Sequence, residues 1–390
     1  MLKKLSLAAL VAMGSMSVAS ATDLSSAIKG VDLKGFMRLR AYYESDKDAN
    51  TNTATTDSTR WRTTAAFNFT VPVSDELKFH TDFAFNWNIY SAGSTSGSAN
   101  PLNTHMFVSY AKDGANVMLG KIPVATPVTG SGVGEALGSG VIATYKVNDQ
   151  LTVAAAGIDA VANIDGGALK FNPKATGSNT YAAAAIFNND MVNAQLWYFQ
   201  VKNAIDSDIV LSADIKALKD AGVKIHVDYA QADLDDQNVA NSLNVTNIGG
   251  TVQGINLNKT QTYLNVNAKY SQDAVCAKIG YAVTGKDGGV VVLDGDAPIA
   301  SVFSTEQITG IANTTDNNAV YAKVGYNVDK KTNVYAAYTT TDKSGDEIVL
   351  GTKYKYTKKF TVSAYYSIYS ADLATQTDNN EARLELKYKF

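Results

Sequence analysis

The five arginines are the residues whose type and spacing point most directly to a function. Arg38 and Arg40 are two positions apart in the sequence, as are Arg60 and Arg62, and Arg383 lies near the carboxyl terminus. Side chains two positions apart in a β-strand point to the same side of the sheet. Because a guanidinium group stays charged in proteins, rows of this kind would create a strong local field for passing ions.

The cost of burying these charges decides what they face. In a strand that crosses a membrane, an arginine turned toward lipid costs roughly 2–4 kcal/mol near the midplane, or about 10–20 kcal/mol for the set. A whole domain is typically stable by only about 5–15 kcal/mol. Two arginines about 7 Å apart also repel, by roughly 0.6 kcal/mol in water and about 2–2.5 kcal/mol at an effective dielectric constant of about 20. We therefore expect all five to face a water-filled channel, with acidic groups opposite.

The segments that carry the arginines have the pattern of β-strands. Apolar and polar residues alternate in Val31–Glu44, in the stretch 60–73, in Leu77–Ile89 and in Glu381–Phe390. This period of two is typical of a strand with one apolar and one polar face. Every arginine lies on the polar face, as does Asp82 of the third strand. The last strand runs to an aromatic carboxyl end, as expected of the strand that closes an outer-membrane barrel; an ordinary edge strand is the alternative.

The connections between the predicted strands alternate between long and short. Nine long polar links and eight short turns give eighteen strands, with both chain ends on the side of the short turns. Membrane barrels have short periplasmic turns and longer external loops, so we predict an all-β transmembrane antiparallel barrel. The Ala-rich stretch 181–201 is ambiguous in phase, which leaves sixteen strands as the alternative count. The long links lie near 45–58, 91–103, 122–140, 162–179, 202–207, 233–259, 284–317, 342–346 and 371–380.

The third long link, 122–140, has a composition unlike that of the others. It carries five glycines, two prolines and one charged residue, Glu135, and it follows Lys121. Glycine lets the backbone run close to a wall, proline stiffens it, and the shortage of charge makes packing inside a barrel less costly. We predict that this link folds into the lumen with Glu135 facing the arginines, and that Lys121 and Asp82 complete the lining of the narrow zone. A mobile external loop is the alternative.

The start of the chain and its composition predict export to the outer membrane. Residues 1–21 have the form of a signal peptide, with two lysines, an apolar run and a cleavage site before Thr22. No later apolar run is long enough for a transmembrane helix, and residues 22–390 show no domain boundary. The formal net charge of −3 does not indicate a nucleic-acid partner. The single cysteine, Cys276, excludes an intrachain disulfide.

The sequence gives no support for catalysis or for a bound cofactor. His80, His105 and His226 are scattered, and no motif places a nucleophile beside any of them. The acidic clusters at 233–236 and 294–296 lack the glycine and glutamate of an EF-hand loop, so we interpret them as solvated loop charges. We therefore expect neither an enzyme nor a metal site.

Three segments are similar to a known family. The predicted signal peptide leads into ATDLSSAIKGVDLKGFMRLRAYYE, the sequence Leu119-Gly120-Lys121 precedes the third link, and the chain ends in EARLELKYKF. With these segments the chain resembles the major outer membrane porins of the Campylobacter type. The resemblance implies an eighteen-stranded barrel, assembled as a trimer, that passes small hydrophilic solutes and acts as a surface antigen. It also implies calcium held by acids of the third loop in some members, for which this chain offers only Glu135.

The residues and the resemblance together predict an outer-membrane porin for passive diffusion of ions and small hydrophilic solutes. Its expected partners are those solutes, outer-membrane lipids and two further copies of itself. Two alternatives stay open: a substrate-specific channel, whose conductance would saturate with one solute class, and a barrel that serves mainly as an adhesin. Ion preference does not follow from the sequence, because wall lysines and loop acids nearly balance.

Overall fold

The structure, a computed structural model, consists almost entirely of β-strands. It describes residues 30–47, 54–91, 100–130, 137–162, 170–171, 179–202, 205–216, 218–234, 243–244, 260–289, 292–293, 297–312, 314–372 and 377–390. The strands are β1 (Asp32–Lys47), β2 (Ala54–Pro72), β3 (Leu77–Ser91), β4 (Asn100–Lys112), β5 (Ala115–Pro123), β6 (Leu137–Lys146), β7 (Leu151–Ala162), β8 (Lys170–Phe171), β9 (Thr180–Asn188), β10 (Val192–Val201), β11 (Ile205–Ile215), β12 (Val223–Leu234), β13 (Leu243–Asn244), β14 (Gln261–Gln272), β15 (Val275–Thr284), β16 (Asn318–Asn327), β17 (Thr332–Thr341), β18 (Gly345–Lys355), β19 (Phe360–Ser370) and β20 (Asp378–Lys389). A 3-10 turn, Lys219–Ala221, precedes β12.

Eighteen of these strands form one closed antiparallel sheet. Each pairs with the next in the chain, except that β7 pairs directly with β9 and β12 with β14. The barrel closes where β1 pairs with β20, from Phe36 opposite Lys389 to Lys47 opposite Asp378. The two-residue strands β8 and β13 pair only with each other. In the described residues, no helix is long and apolar enough to span a bilayer.

This architecture confirms the predicted barrel of eighteen strands. The stretch that was ambiguous in phase divides into β9 and β10, so the alternative count of sixteen is wrong. The connections lie near the predicted positions, but the fifth and eighth, predicted to be long, are short: β10 ends at Val201 and β11 begins at Ile205, and β17 ends at Thr341 and β18 begins at Gly345. The predicted signal peptide, residues 1–21, lies outside the described residues.

Short side chains close most of the turns between strands. Ser74, Asn148, Asn189, Asp329 and Thr357 each accept hydrogen bonds from the backbone N–H groups two and three residues further on. These side chains fold the backbone locally and satisfy donors that no strand can reach. The pair Asp113-Gly114 turns between β4 and β5 with φ of 49° and 81°, the positive values that a two-residue hairpin requires.

The two faces of the sheet differ as the alternation predicts. Large apolar side chains such as Met37, Tyr43, Trp61, Leu384 and Tyr388 are exposed, which is the arrangement expected of a surface that faces lipid. The opposite face carries the polar residues and points to the interior of the closed barrel. Trp61 was predicted to mark an aromatic girdle and is on the outer face; the side chain of Trp87, predicted with it, lies outside the described residues.

One side of the interior is filled by an apolar core. Trp197 and Phe199 of β10 point inward, where their rings stack with centroids 5.5 Å apart. Residues of the seventh long link pack against them and against the inner faces of β11–β16. The apolar members of this link that are buried in the cluster are Val292, Leu293, Ala297, Ile299, Ala300, Val302, Phe303, Ile308, Ile311 and Ala312. The barrel is therefore partly filled from within by its own chain.

Candidate functional site

The five arginines lie together on the inner wall. Strand β1 pairs with β2 on one side and with β20 on the other, which makes the three strands neighbours. Arg40 is directly opposite Arg62 of β2, and Tyr42, the next inward residue of β1, lies between Arg60 and Arg383. Since residues paired directly across strands share a face, the barrel closure brings residues from both ends of the sequence into one patch.

Acidic side chains from the same wall balance part of this charge. The Nε atom of Arg40 is 2.6 Å from Oε2 of Glu385, and Nη2 of Arg60 is 2.6 Å from Oε1 of Glu44. Charge-assisted pairs of this length are among the stronger hydrogen bonds in proteins. The predicted acids opposite the arginines are thus, in part, neighbours on adjoining strands.

Aromatic rings hold several of the cations flat against the wall. The guanidinium carbon of Arg60 lies 4.3 Å from the ring centre of Tyr42, and that of Arg383 lies 4.3 Å from the ring centre of Tyr365. Such cation–π contacts fix a long side chain without neutralising it. Arg62 has no hydrogen bond or ion pair with another described residue, so its charge is left for water or solute.

A further acid beside the arginines belongs to the seventh long link. Oε2 of Glu306 is 3.3 Å from Nη2 of Arg383. Burial raises the pKa of the Glu306 carboxyl, although the nearby Arg383 acts in the opposite direction. The neighbouring Gln307 donates a hydrogen bond of 2.9 Å to Ser367 of β19. The link therefore extends along the inner wall to β19 and β20, the strands next to the closure.

The third long link is in contact with the seventh. Val128, at the tip of its described part, is fully buried, and its carbonyl accepts a hydrogen bond of 2.9 Å from the N–H of Leu293. The carbonyl of Pro127 accepts a second one, 3.2 Å long, from Ile299. Glu135, the residue predicted to face the arginines, lies outside the described residues.

Asp82, predicted to line the narrow zone, is hydrogen-bonded to His105 of β4. It sits where the register between β3 and β4 shifts, and a bulge of this kind re-aims the side chain. Its carboxylate accepts hydrogen bonds from Nδ1 of His105 at 2.6 Å and from the His105 backbone N–H at 2.5 Å. Both side chains are buried. They line a cavity of ≈ 410 Å³ together with Phe36, Asn68, Phe69, Thr70, His80, Thr81, Phe107 and Pro123.

Lys121 is separated from the arginines. Its register partners are Met106 on β4 and Ser139 on β6, and both of these are exposed. Because direct partners share a face, Lys121 belongs to the outer row of β5. This corrects its predicted place in the channel lining: the residue follows Gly120, and the sequence around it has too little alternation to reveal the face.

Sequence reasoning missed the seventh link, which it treated as one of the polar external loops. The signal was present: Val290–Leu293 is an unbroken apolar run, and Ile299, Val302 and Phe303 follow closely. A link exposed to water has no need of so many large apolar side chains. Among the described residues, no group of three or more His, Cys, Asp or Glu side chains could hold a metal ion; Glu135, the acid that the third link offers for the calcium implied by the resemblance, lies outside them.

Comparison with known proteins now identifies the chain. The family of the Campylobacter major outer membrane protein matches residues 1–390. The chain belongs to this family. A comparison with curated proteins finds no match. Its family and its closed barrel make the protein an outer-membrane β-barrel.

Solved structures share the fold of this Campylobacter-type outer membrane protein at low sequence identity. OpdQ of Pseudomonas aeruginosa is 16% identical with a TM-score of 0.67, over 92% of this chain and 99% of that chain. OccAB1 of Acinetobacter baumannii is 15% identical with a TM-score of 0.65, over 92% and 96%. OpdK of Pseudomonas aeruginosa, crystallised with vanillate, is 12% identical with a TM-score of 0.67, over 92% and 98%. At such identities the likeness establishes the fold alone.

Proposed function

We propose that the protein is a porin, a water-filled channel for passive diffusion of ions and small hydrophilic solutes across the outer membrane. The observation that carries the proposal is the charged inner wall. Lys278 of β15 faces inward, because its Nζ donates to the carbonyl of Val302 in the seventh link. Its register partner Lys269 shares that face and is nevertheless exposed. Dry burial of a charge is very costly, so an inner face that carries these lysines and the five arginines supports a lumen filled with water.

We propose further that the channel is narrowest between the arginine wall and the two links. Arg38, Arg40, Arg60, Arg62 and Arg383 form one side of this zone. Glu306 of the seventh link adds a negative charge beside Arg383, and the third link contacts the seventh through Val128. The clustered cations and this carboxylate create a strong local field that acts on passing ions. The inward fold of residues 122–140 is supported by burial at Ile122, Val124 and Val128.

Single-channel recording in a planar bilayer tests the proposal. The purified protein, checked for folding by its heat-modifiable migration in gels, is expected to give stepwise, ohmic conductance. Swelling of proteoliposomes should show uptake of small sugars that falls steeply with solute size. A folded barrel with no conductance would reject the channel and leave the adhesin as the explanation.

We also propose that the chain is exported with removal of residues 1–21, that its outer face contacts outer-membrane lipid, and that it assembles as a homotrimer. The family resemblance supports the trimer, and the exposed apolar belt supports the lipid contact. Mass determination of the mature protein and native mass spectrometry test the first and last points. A mature mass that includes residues 1–21, or a purely monomeric protein in mild detergent, would contradict them.

A second candidate function is a channel with a binding site for one class of solute. The observation that favours it is the cavity beside Asp82 and His105, which combines rings of Phe36 and Phe107 with hydrogen-bonding groups. A volume of ≈ 410 Å³ is within the usual range for small-molecule pockets. The cations of Arg38 and Lys387 lie 5.5 and 4.6 Å from the ring centre of Phe36. A small aromatic acid would suit this chemistry, and vanillate, found with OpdK, is a reasonable probe.

Concentration-dependent block separates the two candidates. A specific channel predicts that vanillate reduces single-channel current to a saturating level, and that Phe36→Ala weakens the block. A general porin predicts no saturation at any accessible concentration. In either case the protein conducts salt, so the primary proposal is tested independently.

A further inference from the structure

Glu347 is the most completely bonded carboxylate of the described inner wall. It lies on β18 and is fully buried. Its Oε1 accepts hydrogen bonds from the backbone N–H groups of Glu306 at 3.0 Å and Gln307 at 3.1 Å, and its Oε2 from those of Gln307 at 3.0 Å and Ile308 at 2.7 Å. The hydroxyl of Ser367 donates a further bond of 2.6 Å to Oε1. No ion pair joins it to a described lysine or arginine.

The three N–H groups come from one tight turn of the seventh link. Thr305 closes this turn, because its Oγ1 donates to the carbonyl of Ile308 at 2.6 Å. The same hydroxyl oxygen lies 2.8 Å from Oγ1 of Thr339 on β17. Consecutive N–H groups that converge in this way form a concave site for an anion. Here the anion is a side chain of the barrel wall, so the carboxylate and the turn complete each other.

This arrangement fixes the position of Glu306. The residue contributes its backbone N–H to Glu347 and extends its own carboxylate to Arg383, 3.3 Å away. If the turn were released, the Glu306 side chain would lose its fixed place opposite the arginines, because only the links and Arg383 would restrain it. Bonds to a charged acceptor are the stronger kind, so Glu347 is the dominant restraint among the contacts of this turn.

We propose that Glu347 is a positioning residue for the channel: it holds the seventh link so that the carboxylate of Glu306 faces the arginine wall and contributes to ion selectivity. This inference rests on the proposed porin function. Glu347 does not itself meet the permeating ion, because it is covered by the turn that it binds. Its effect on selectivity therefore passes through Glu306.

A double-variant cycle tests this route. Glu306→Gln removes one negative charge from the lumen and is expected to lower the cation-to-anion permeability ratio about fourfold at about 0.1 M salt. Glu347→Gln places an amide where the N–H groups need an acceptor, and should lower the ratio by a similar factor while increasing current noise. In the protein that carries both changes, the ratio should stay near that of Glu306→Gln alone. Asp346→Asn is the matched control, because the neighbouring carboxylate lies on the other row of the same strand and bonds to the exposed Tyr338.

The outcomes separate the alternatives. If the two substitutions lower the permeability ratio by factors that multiply in the double variant, Glu347 acts through its own charge and the proposal is overturned. A Glu347→Gln channel with the permeability ratio of the wild type would also overturn it. If Glu347→Gln does not fold, the double substitution Thr339→Val and Ser367→Ala removes hydrogen bonds to Thr305 and to Glu347. It weakens the attachment of the turn to the wall without changing any charge. A lowered permeability ratio then supports the proposal and an unchanged ratio overturns it. A wild-type protein that does not conduct would reject the porin function instead, which is a distinguishable result.

Discussion

Arg62→Gln is the substitution that tests most directly whether the arginine wall acts on ions. Arg62 is on the inner row of β2 opposite Arg40, and no acid among the described residues is paired with it. A monovalent ion about 6 Å from this charge has an interaction energy with it of about 0.7 kcal/mol at the dielectric constant of water. With a Debye length of about 10 Å at 0.1 M salt, screening reduces this to about 0.4 kcal/mol. That energy changes the local concentration of each ion about twofold.

Removing the charge therefore favours cations about twofold and disfavours anions about twofold, so the permeability ratio should move about fourfold toward cations. The assay is the reversal potential of single channels under a salt gradient. In about 1 M salt, where the Debye length is about 3 Å, the change should shrink to less than about twofold. Lys121→Gln removes a charge of the same sign from the outer face and should leave the ratio unchanged.

Three results would refute the reasoning. One is an unchanged reversal potential in correctly folded Arg62→Gln channels. Another is an equal effect of Lys121→Gln, which would mean that the register does not separate the two charges. The third is an effect that does not weaken in concentrated salt, since a change in pore shape rather than in field would behave in that way.

Further predictions concern the links, the barrel closure and pH. Deleting Ala125–Gly134 should enlarge the conductance and speed the uptake of bulkier solutes, because it removes part of the third link, which we propose to fold inward; unchanged conductance in a folded variant would place this link outside the narrow zone. Gly35→Val should prevent the barrel from folding, which gels would show as loss of the heat-modifiable band, because a Cβ at Gly35 would lie 2.1 Å from the Ala66 carbonyl oxygen. Gly157→Ala should fold normally, because no atom lies within 4 Å of the added Cβ. Equal yields would contradict this. Because burial raises the pKa of Glu306, acidification should protonate this carboxylate before exposed carboxylates and shift selectivity toward anions. A Glu306→Gln channel whose selectivity has the same pH dependence would exclude Glu306 as the titrating group.

The ladder of strands follows from local sequence. Three features depend only on neighbours in the chain: the side-chain period of two, turn residues such as Asp113-Gly114, and the lengths of the links. The strands can therefore be counted from the sequence alone. The closure could also be anticipated, because a barrel in lipid cannot leave an edge unpaired. Register then follows, since a slip of one residue would turn the arginines toward lipid.

The candidate site was only partly open to such reasoning. The spacing of the five arginines places them all on the polar face of their strands. The closure of the barrel then brings these strands together. The acid partners do not, because Glu385 and Glu44 are identified only by cross-strand register. Asp82 pairs with His105 through a bulge, and a one-residue irregularity of this kind leaves no clear trace in the alternation.

The sequence by itself determined the eighteen strands, the two faces of the sheet and the row of cations, because each follows from a local period and from the cost of charge in lipid. Only the tertiary structure decided what fills the barrel. The inward course of the seventh link depends on contacts between residues far apart in the chain, such as Glu347 with the turn at Glu306, or Phe303 with Tyr321, whose ring centres are 4.6 Å apart. The apolar residues of this link indicate that it can be buried, but not where it packs, because burial is a property of the assembled barrel and not of the segment.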